Sequence, residues 1–266
     1  MALDTTDQRL IFDQYVAERR ARAIEGFQLE VLPFASRYAS LDGSGEAFLN
    51  FTTLPAGDER RIIRDQVAWF KQRGGTLEWK TYDFDVPSNL KELLELEGFE
   101  SDPPEAFLVY PVERALPSRA IASPDVTIRQ ANWDDTTLDD VIKVQEAVWG
   151  REFPWLEPQL RGTLRNHPEQ LSVYCAYRDG IPVGTGWTDF APDSRFADIH
   201  GGSVLEEARG QGIYSLLLRR RVEEARVRGY AYLAVDAAPM SRPILERAGF
   251  DFVCNTFPMK LSIRRG

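Results

Sequence analysis

Glycines recur at one fixed spacing in the two halves of this 266-residue chain. Gly57 and Gly212 are 155 residues apart, and Gly74 and Gly229 are separated by the same interval (212 − 57 and 229 − 74). Gly74 and Gly229 each follow a segment whose apolar residues have helical spacing, so each closes a predicted helix. The spacing suggests a fold that is built twice from one order of elements.

A second helix in each half ends in Gly-Phe, at residues 98–99 and 249–250. Any helix can end in glycine, the usual residue after a helix C-terminus. Three matched glycines and a matched order of elements nevertheless predict an internal duplication. The linker between the copies is predicted at 117–124, which is bracketed by prolines and has no apolar period. The predicted domains are therefore 1–118 and 119–266.

Apolar periodicity predicts helices and strands in both copies. In the second copy the predicted order is strand 126–130, helices 134–149 and 157–166, strands 171–177, 181–187 and 197–204, helix 213–228, strand 231–235, helix 241–248, and a closing strand or two at 252–262. In the first copy the predicted order is helix 58–73, strand 76–82, helix 88–96 and strand 106–111. Such an order predicts an α/β chain in which helices pack on a mixed sheet.

The net charge limits the classes of partner that the chain is expected to bind. A formal net charge of -9 disfavours a nucleic-acid binder, whose surface would be basic, and fits either a cationic small molecule or solubility alone. No apolar run approaches the ~18 residues of a membrane span, and the first residues have neither the basic leader nor the apolar core of a signal peptide. Two cysteines fit a reducing compartment, so a cytoplasmic protein is expected. The spacing of side chains offers no metal site.

The loop Arg209-Gly210-Gln211-Gly212-Ile213-Tyr214 separates a predicted strand from a predicted helix. A helix N-terminus presents unpaired N–H groups with a partial positive charge, and glycines let such a backbone approach a phosphate. Ser215 stands where a dinucleotide fingerprint has its third glycine, and the Gly-Lys-Ser/Thr of a P-loop is absent. The loop alone leaves open a phosphate site and a tight strand-to-helix turn.

This loop resembles the GNAT superfamily of N-acetyltransferases, whose pattern is Gln/Arg-x-x-Gly-x-Gly/Ala at a strand-to-helix junction. Arg209, Gly212 and Tyr214 stand at the three defined positions, and the tyrosine departs from the usual glycine or alanine. The order of elements from Val126 onward and the final Gly-Phe are also similar to the family. The resemblance implies an α/β (α+β) fold of two GNAT-like domains, each a mixed twisted sheet flanked by helices.

The resemblance also implies acetyl-CoA as the acyl donor. In the family, backbone N–H groups of this loop hold the pyrophosphate, and the preceding strand diverges from its neighbour and polarises the thioester carbonyl. The implied donor-binding residues are Val204, Leu205, Arg209, Gly210, Gln211, Gly212, Ile213, Tyr214 and Ser241. The first copy has Leu54-Pro55-Ala56-Gly57-Asp58-Glu59 at this place, with two carboxylates that would repel phosphate. The first copy is therefore expected to be degenerate.

Two side chains before the loop are candidate general bases. An alkylammonium has a pKa near ~10, so a nearby group must take its proton before the amine can attack. Asp198 lies eleven residues before Arg209, the place of a catalytic glutamate in the histone acetyltransferase branch of the family. His200 is two residues further on and is expected to share a face with Asp198. A solvated strand end and a hydrogen-bonded sheet histidine remain the alternative interpretations.

The family's usual general acid is missing. A tyrosine four residues before the glycine of the terminal Gly-Phe protonates the departing thiolate in the family, and Leu245 stands there. The asparagine often found seven residues earlier is Ala238. Tyr214 and Ser241 are the candidates to replace the tyrosine. Otherwise the thiolate leaves unaided, or the domain binds CoA without turnover.

The acceptor wall in the family comes from the first two helices and the loop between them. In this chain that loop contains Trp149, Glu152, Phe153 and Trp155, which act either as a substrate wall or as core anchors. The resemblance implies an N-acyltransferase that acetylates the primary amine of a small molecule by direct attack on the thioester. The alternative is a non-catalytic CoA-binding or regulatory module. Acyl transfer from a carrier protein would require a basic docking surface, which the acidic balance does not provide.

Overall fold

The structure, a computed structural model, describes residues 3–116 and 125–263. The linker predicted at 117–124, and with it the predicted domain boundary, lies outside the described residues. Both copies contain helices together with strands of a mixed sheet, which confirms the α/β class. Within the two described ranges, no helix is long and apolar enough to cross a bilayer.

Contacts within the chain define two compact units, and unit 1 combines Met1–Leu108 with Asp236–Gly266. Its elements are α1 (Thr5–Arg19), β1 (Phe27–Val31), β2 (Ser36–Ser40), β3 (Ala47–Asn50), α2 (Glu59–Lys71), β4 (Gly75–Tyr82), α3 (Leu90–Leu96), β5 (Glu100–Ser101) and the start of β6 (Glu105–Pro111). Near the C-terminus, α7 (Arg242–Arg247) and β12 (Asp251–Ile263) complete it. The strands follow the order β1-β2-β3-β4-β12-β6, and β5 pairs with β12.

Unit 2 is Val109–Val235. Its elements are β7 (Val126–Gln130), α4 (Thr136–Trp149), α5 (Leu156–Asn166), β8 (Leu171–Arg178), β9 (Ile181–Phe190), β10 (Phe196–Val204), α6 (Ile213–Val227) and most of β11 (Tyr232–Ala237), with short 3-10 turns at Pro168–Gln170 and Glu206–Ala208. The strand order is β7-β8-β9-β10-β11. All neighbours are antiparallel except β10 and β11, which are parallel.

The last strand lies between strands of the first copy, although its sequence position suggests the second copy. β12 pairs antiparallel with β4 over eight rungs, from Thr256 opposite Tyr82 to Ile263 opposite Gly75. The sequence predicts a strand here but assigns it to the second copy. The packing units therefore differ from the two sequence halves in where they place residues 236–266.

The topology confirms the duplication. In unit 1, β3 runs antiparallel to β2 and parallel to β4, with α2 as the crossover. In unit 2, β10 runs antiparallel to β9 and parallel to β11, with α6 as the crossover. The glycine of the first matched pair lies just before each crossover helix, at Gly57 and Gly212.

Helices cover both faces of the sheet in unit 2. Alternate residues of β8 point to opposite faces, as in any strand. Val173 and Cys175 pack with apolar residues of α4 and α5, whereas Tyr174 and Ala176 pack with apolar residues of α6. The sheet of unit 2 therefore has an α4/α5 face and an α6 face.

Candidate functional site

The loop before α6 keeps its backbone open. Gly210 and Gly212 have φ of 75° and 79°, a left-handed conformation that glycine adopts without strain. Gly212 is the N-cap of α6, and no side chain caps the helix there. A Cβ atom on Gly210 would meet no atom within 4 Å. The first turn of α6 therefore has N–H groups that no capping side chain occupies, as an anion site requires.

Side-chain hydrogen bonds hold this loop in place. Arg178, at the end of β8, donates to Oε1 of Gln211 at 2.8 Å, and the Gln211 amide donates to the Glu207 carbonyl at 3.2 Å. Arg209 is exposed and donates back to the Val204 carbonyl at 3.2 Å. These bonds fix the loop's path between β10 and α6.

In unit 1 the matching loop is occupied by its own carboxylates. Gly57 has φ of 89°, close to that of Gly212, but its N–H donates to the carboxylate of Glu59 at 2.9 Å. Asp58, at the N-cap of α2, forms a 3.0 Å ion pair with Arg61. The N–H of the loop glycine is thus bonded to a carboxylate, and a second carboxylate stands at the N-cap, which agrees with the degenerate loop that the sequence predicts.

Strands β10 and β11 separate on the approach to the glycine loop. Their rungs are Phe196, Ala197 and Asp198 opposite Tyr232, Leu233 and Ala234, and pairing stops there. β10 nevertheless continues to Val204 and β11 to Ala237. The backbone edge of β10 beyond Asp198 is therefore not used by the β10–β11 ladder.

The corresponding gap in unit 1 is closed by a buried carboxylate. Asp85 accepts from the N–H of Thr52 at 3.0 Å and from the N–H of Tyr82 at 2.9 Å. The indole of Trp79 donates to the Thr52 hydroxyl at 2.8 Å. In unit 1 the strand that corresponds to β10 is β3, and Thr52 lies just beyond its end. Thr52 therefore corresponds to the residues of β10 beyond Asp198, which β11 does not pair. Its polar groups are thus already satisfied within the unit.

Backbone pairing completes this closure. Val86 accepts from Leu54 at 2.7 Å and donates to the Thr52 carbonyl at 3.1 Å, and Thr53 forms a parallel bridge with it. The two copies therefore share a topology but differ at the point where one strand leaves its parallel neighbour.

Removing the Asp85 carboxylate should destabilise the protein. Asp85→Ala is expected to lower the free energy of unfolding by about 2 kcal/mol, because two buried N–H groups lose their acceptor. Urea unfolding measures this. Asp65→Ala is the control, because the Asp65 carboxylate is exposed and pairs with exposed Arg61, so a change below about 0.5 kcal/mol is expected.

The effect of Asp85 should also depend on pH. Burial raises the pKa of Asp85 from 3.8 to about 7, against the lowering effect of its two backbone hydrogen bonds. Between these values the folded protein keeps a proton that the unfolded chain releases, so stability falls as pH rises. The contribution of Asp85 is full below pH 3.8 and is lost as pH approaches about 7. Wild type should exceed Asp85→Ala by more at pH 5 than at pH 8, and an equal difference would contradict the assignment.

A β-bulge interrupts β10 within its unpaired part. The register with β9 shifts between His200 and Ser203. Gly201, inside the bulge, has φ of 58°, and a Cβ atom there would lie 1.7 Å from the Trp187 ring. A Cβ atom on Gly202 would lie 2.9 Å from the Tyr214 ring. The paired glycines thus let two aromatic rings approach the backbone, one from each face of the sheet.

The candidate bases lie on the α4/α5 face, as their spacing predicts. Asp198 is buried, at 7% exposure, and faces Asp189 across the β9–β10 ladder. His200 is exposed and lies opposite Trp187, with the ring centroids 6.3 Å apart. Sequence reasoning missed Asp189, because the β9–β10 register that places it beside Asp198 was not predicted.

Tyr214 lies on the other face of the sheet. Its ring contacts Gly202 from the α6 side, and burial raises the pKa of its hydroxyl while the nearby Arg221 guanidinium lowers it. The structure therefore does not bring Tyr214 together with Asp198 or His200. Arg221 itself is buried, and its guanidinium packs over Gly186 of β9.

The remaining predicted donor-binding residues divide between the units. Val204 and Leu205 follow the bulge, and Ile213 is buried at the first turn of α6. Ser241 lies in unit 1 at the N-cap of α7, and its hydroxyl donates to the Ala238 carbonyl at 3.0 Å. Leu245 is buried in α7 at 1% exposure, so it is a core residue of that helix.

The loop between α4 and α5 presents two tryptophans to solvent. Trp149 is 48% exposed and Trp155 is 51% exposed, whereas Phe153 is buried at 9%. Phe153 belongs to the apolar core of the α4/α5 face and contacts the Trp155 ring edge-on at 6.3 Å. Glu152 is exposed. Of the two roles considered for this loop, Phe153 therefore has that of a core anchor. The side chains of Trp149, Glu152 and Trp155 are exposed and remain candidates for a substrate wall.

Comparison with known proteins agrees with this geometry. Residues 127–250 match the model of the acetyltransferase (GNAT) family. The whole chain is similar to a GCN5-related N-acetyltransferase from Kribbella flavida (13% identity, TM-score 0.68, 100% of this chain and 97% of that chain). It is also similar to a GCN5-related N-acetyltransferase from Sphaerobacter thermophilus (18%, 0.64, 100% and 95%) and to a tandem GNAT protein from the clavulanic acid biosynthesis pathway (14%, 0.62, 98% and 96%). A comparison with curated proteins gives no match.

Proposed function

We propose that the protein acetylates the primary amine of a small molecule from acetyl-CoA, because residues 127–250 match the acetyltransferase (GNAT) family and the fold of the chain is similar to that of a tandem GNAT protein. One observation carries the proposal. The glycine loop and the diverging strands are open in unit 2, while Glu59 and Asp85 fill the same two places in unit 1. The chain therefore keeps one donor site of the two that its duplication provides.

The residues present fit an acyl-CoA. The uncapped first turn of α6 and the left-handed glycines 210 and 212 suit a pyrophosphate. The edge of β10 from Ile199 to Val204, which lies outside the β10–β11 ladder, suits the amide groups of a pantetheine arm. When bound, acetyl-CoA supplies an activated acetyl thioester. The protein binds and orients it through backbone groups, which a negatively charged side chain at the loop would disturb.

Asp198 is the favoured general base. It is buried at the last β10–β11 rung, where the donor strand becomes free, and His200 on the same face is the second candidate. The base takes a proton from the acceptor ammonium, and the freed nitrogen lone pair bonds to the acetyl carbon as the carbon–sulfur bond breaks. The second proton that the nitrogen then loses passes to the thiolate, which gives the neutral amide and the free thiol. A thiol pKa near ~8.5 makes the thiolate a tolerable leaving group, which is consistent with buried Leu245 at the usual position of the acid.

The acceptor is proposed to lie against the α4–α5 loop. Trp149 and Trp155 offer exposed aromatic faces and Glu152 an exposed carboxylate, a combination that attracts a cationic amine. The net charge of -9 also favours the approach of a cation.

Loss of a loop tryptophan should weaken acceptor binding. Trp149→Ala is expected to raise the acceptor KM about fivefold, since a cation–π contact contributes roughly 1 kcal/mol, and to leave the affinity for CoA unchanged. Steady-state kinetics at saturating acetyl-CoA measures the change. Trp133→Ala is the matched control, because Trp133 is similarly exposed (44%) but precedes α4. Equal effects of the two substitutions would contradict an acceptor wall at this loop.

Calorimetry and thiol release together test the function. Wild type should bind acetyl-CoA with a micromolar Kd and release free thiol with at least one member of a panel of amino acids, amino sugars and polyamines. No acetyl-CoA binding would overturn the proposal. Binding without thiol release for any amine would favour the second candidate, a non-catalytic CoA-binding module, for which Leu245 and Ala238 at the usual tyrosine and asparagine positions argue.

A further inference from the structure

A buried glutamine joins helix α4 to the bulge of β10. Gln145 is 3% exposed, and its amide donates to the Gly201 carbonyl at 2.7 Å and to the Thr185 hydroxyl at 2.5 Å. Its own carbonyl accepts from the Ser203 hydroxyl at 3.3 Å. Thr185 adds a second bond to the Gly201 carbonyl at 2.9 Å. All of these partners lie on β9 or within the bulge.

Burying the Gln145 amide costs free energy unless its hydrogen bonds are made. A primary amide buried without partners costs several kcal/mol, so an apolar side chain would be the simpler solution at this position. The neighbouring core positions of α4 are apolar, including Val141 and Val144. Gln145 instead directs its hydrogen bonds to the one stretch of β10 that has lost its regular ladder.

The bonds hold the bulge in one conformation. The Gly201 carbonyl is turned out of the β9–β10 ladder and accepts from two side chains, while the Trp187 ring covers its Cα from the same face. Without these donors, the partly buried carbonyl would lose its partners from α4 and β9. The direction of the next backbone groups, at Gly202 and Ser203, follows from this fixed carbonyl.

We propose that Gln145 is a positioning residue for acyl transfer, a role that rests on the function proposed above. Its amide fixes the bulge and thereby aims the free backbone edge of β10 at the thioester carbonyl of the donor. Trp149 stands one helical turn further along α4. The same side chain therefore sets the distance between the acceptor wall and the acyl carbonyl.

The expected signature is a loss of kcat without a loss of donor affinity. The proposed pyrophosphate site is the loop before α6, whereas Gln145 forms hydrogen bonds with β9 and with the bulge of β10, so Gln145→Met should keep the Kd of CoA within about threefold. Misplacement of reacting groups by about an ångström costs up to ~100-fold in rate, so kcat should fall at least about tenfold. A general weakening of the fold would change both constants.

Carbon-13 NMR of bound [1-13C]acetyl-CoA reads the subsite directly. Hydrogen bonds to the thioester carbonyl move its resonance to higher chemical shift. We expect this displacement in wild type and its loss in Gln145→Met, with CoA still bound by calorimetry. Lys143→Met, an exposed change on the same helix, should retain the displacement. The pair Thr185→Val and Thr185→Ser provides a second comparison, because only serine keeps the hydroxyl that bonds Gly201.

The outcomes separate the two proposals. The role of Gln145 is supported if wild type binds acetyl-CoA with a displaced resonance and two variants, Gln145→Met and Thr185→Val, lose the displacement. Thr185→Ser should keep it. Binding with an unchanged resonance in the variants overturns that role and leaves the proposed function intact. No binding by wild type overturns the proposed function, and the role of Gln145 with it. Should Gln145→Met fail to fold, the Thr185 pair decides.

Discussion

Gly212→Glu is expected to weaken acetyl-CoA binding by at least about 100-fold, or ~2.7 kcal/mol. The substitution places a carboxylate at the N-terminus of α6, where the N–H groups of the first turn would face a pyrophosphate. Like charges at this distance repel, and the Glu59 carboxylate shows in unit 1 how a side chain fills such a loop. Calorimetric titration with acetyl-CoA measures the loss.

Gly57→Glu is the matched control for this substitution. Gly57 and Gly212 have nearly the same φ, 89° and 79°, so glutamate brings a similar strain of roughly 1–2 kcal/mol at either position. Only the Gly212 change should affect donor binding, whereas both should lower the thermal midpoint. Wild-type affinity in Gly212→Glu would show that the loop does not hold the pyrophosphate.

Asp198→Asn is expected to reduce kcat by about 100-fold, the usual contribution of a general base. Asparagine has the shape of aspartate, but its amide does not accept a proton at neutral pH, so the affinity for acetyl-CoA should stay within about threefold. Steady-state kinetics with a saturating amine measures both effects.

Two further variants assign the base. Asp193→Asn changes an exposed aspartate whose φ of 55° suits asparagine equally well, so its rate should match wild type. His200→Gln tests the second candidate on the same face. A 100-fold loss in His200→Gln with a wild-type rate in Asp198→Asn would transfer the role to His200.

Much of the fold follows from periodicity. The predicted helix at 213–228 is α6, and the predicted strands at 126–130 and 171–177 are β7 and β8 within a residue or so. These segments have regular apolar spacing and glycine boundaries, which are local signals. Helix α1 and strands β1–β3 were not predicted, and of α1 only Phe12 and Arg19 are buried, so the helix lacks a continuous apolar stripe.

The partner of β12 could not be read from its sequence. Alternation tells which residues of a strand face the core, but not which neighbouring strand supplies the ladder. Its rungs with β4 join residues more than 170 positions apart. Such a pairing depends on the closure of the whole chain.

The two copies also place a buried arginine on different elements. Gln66 of α2 and Arg221 of α6 are separated by the repeat interval, and both are buried. In unit 1 the arginine comes from the strand, since Arg37 of β2 donates to Gln66 at 2.7 Å. In unit 2 the arginine comes from the helix and lies over Gly186 of β9. The sequence offset alone gives no sign of this exchange.

The sequence by itself determined the duplication, the single intact glycine loop and the shared face of Asp198 and His200. Each of these depends on residues close together in the chain or on a fixed repeat. Only the tertiary structure decided that β12 completes the sheet of unit 1, that Asp85 closes the strand gap there, and that Gln145 holds the bulge at Gly201 across 56 residues. The reason is physical, because a buried polar group is stabilised by partners that folding brings to it.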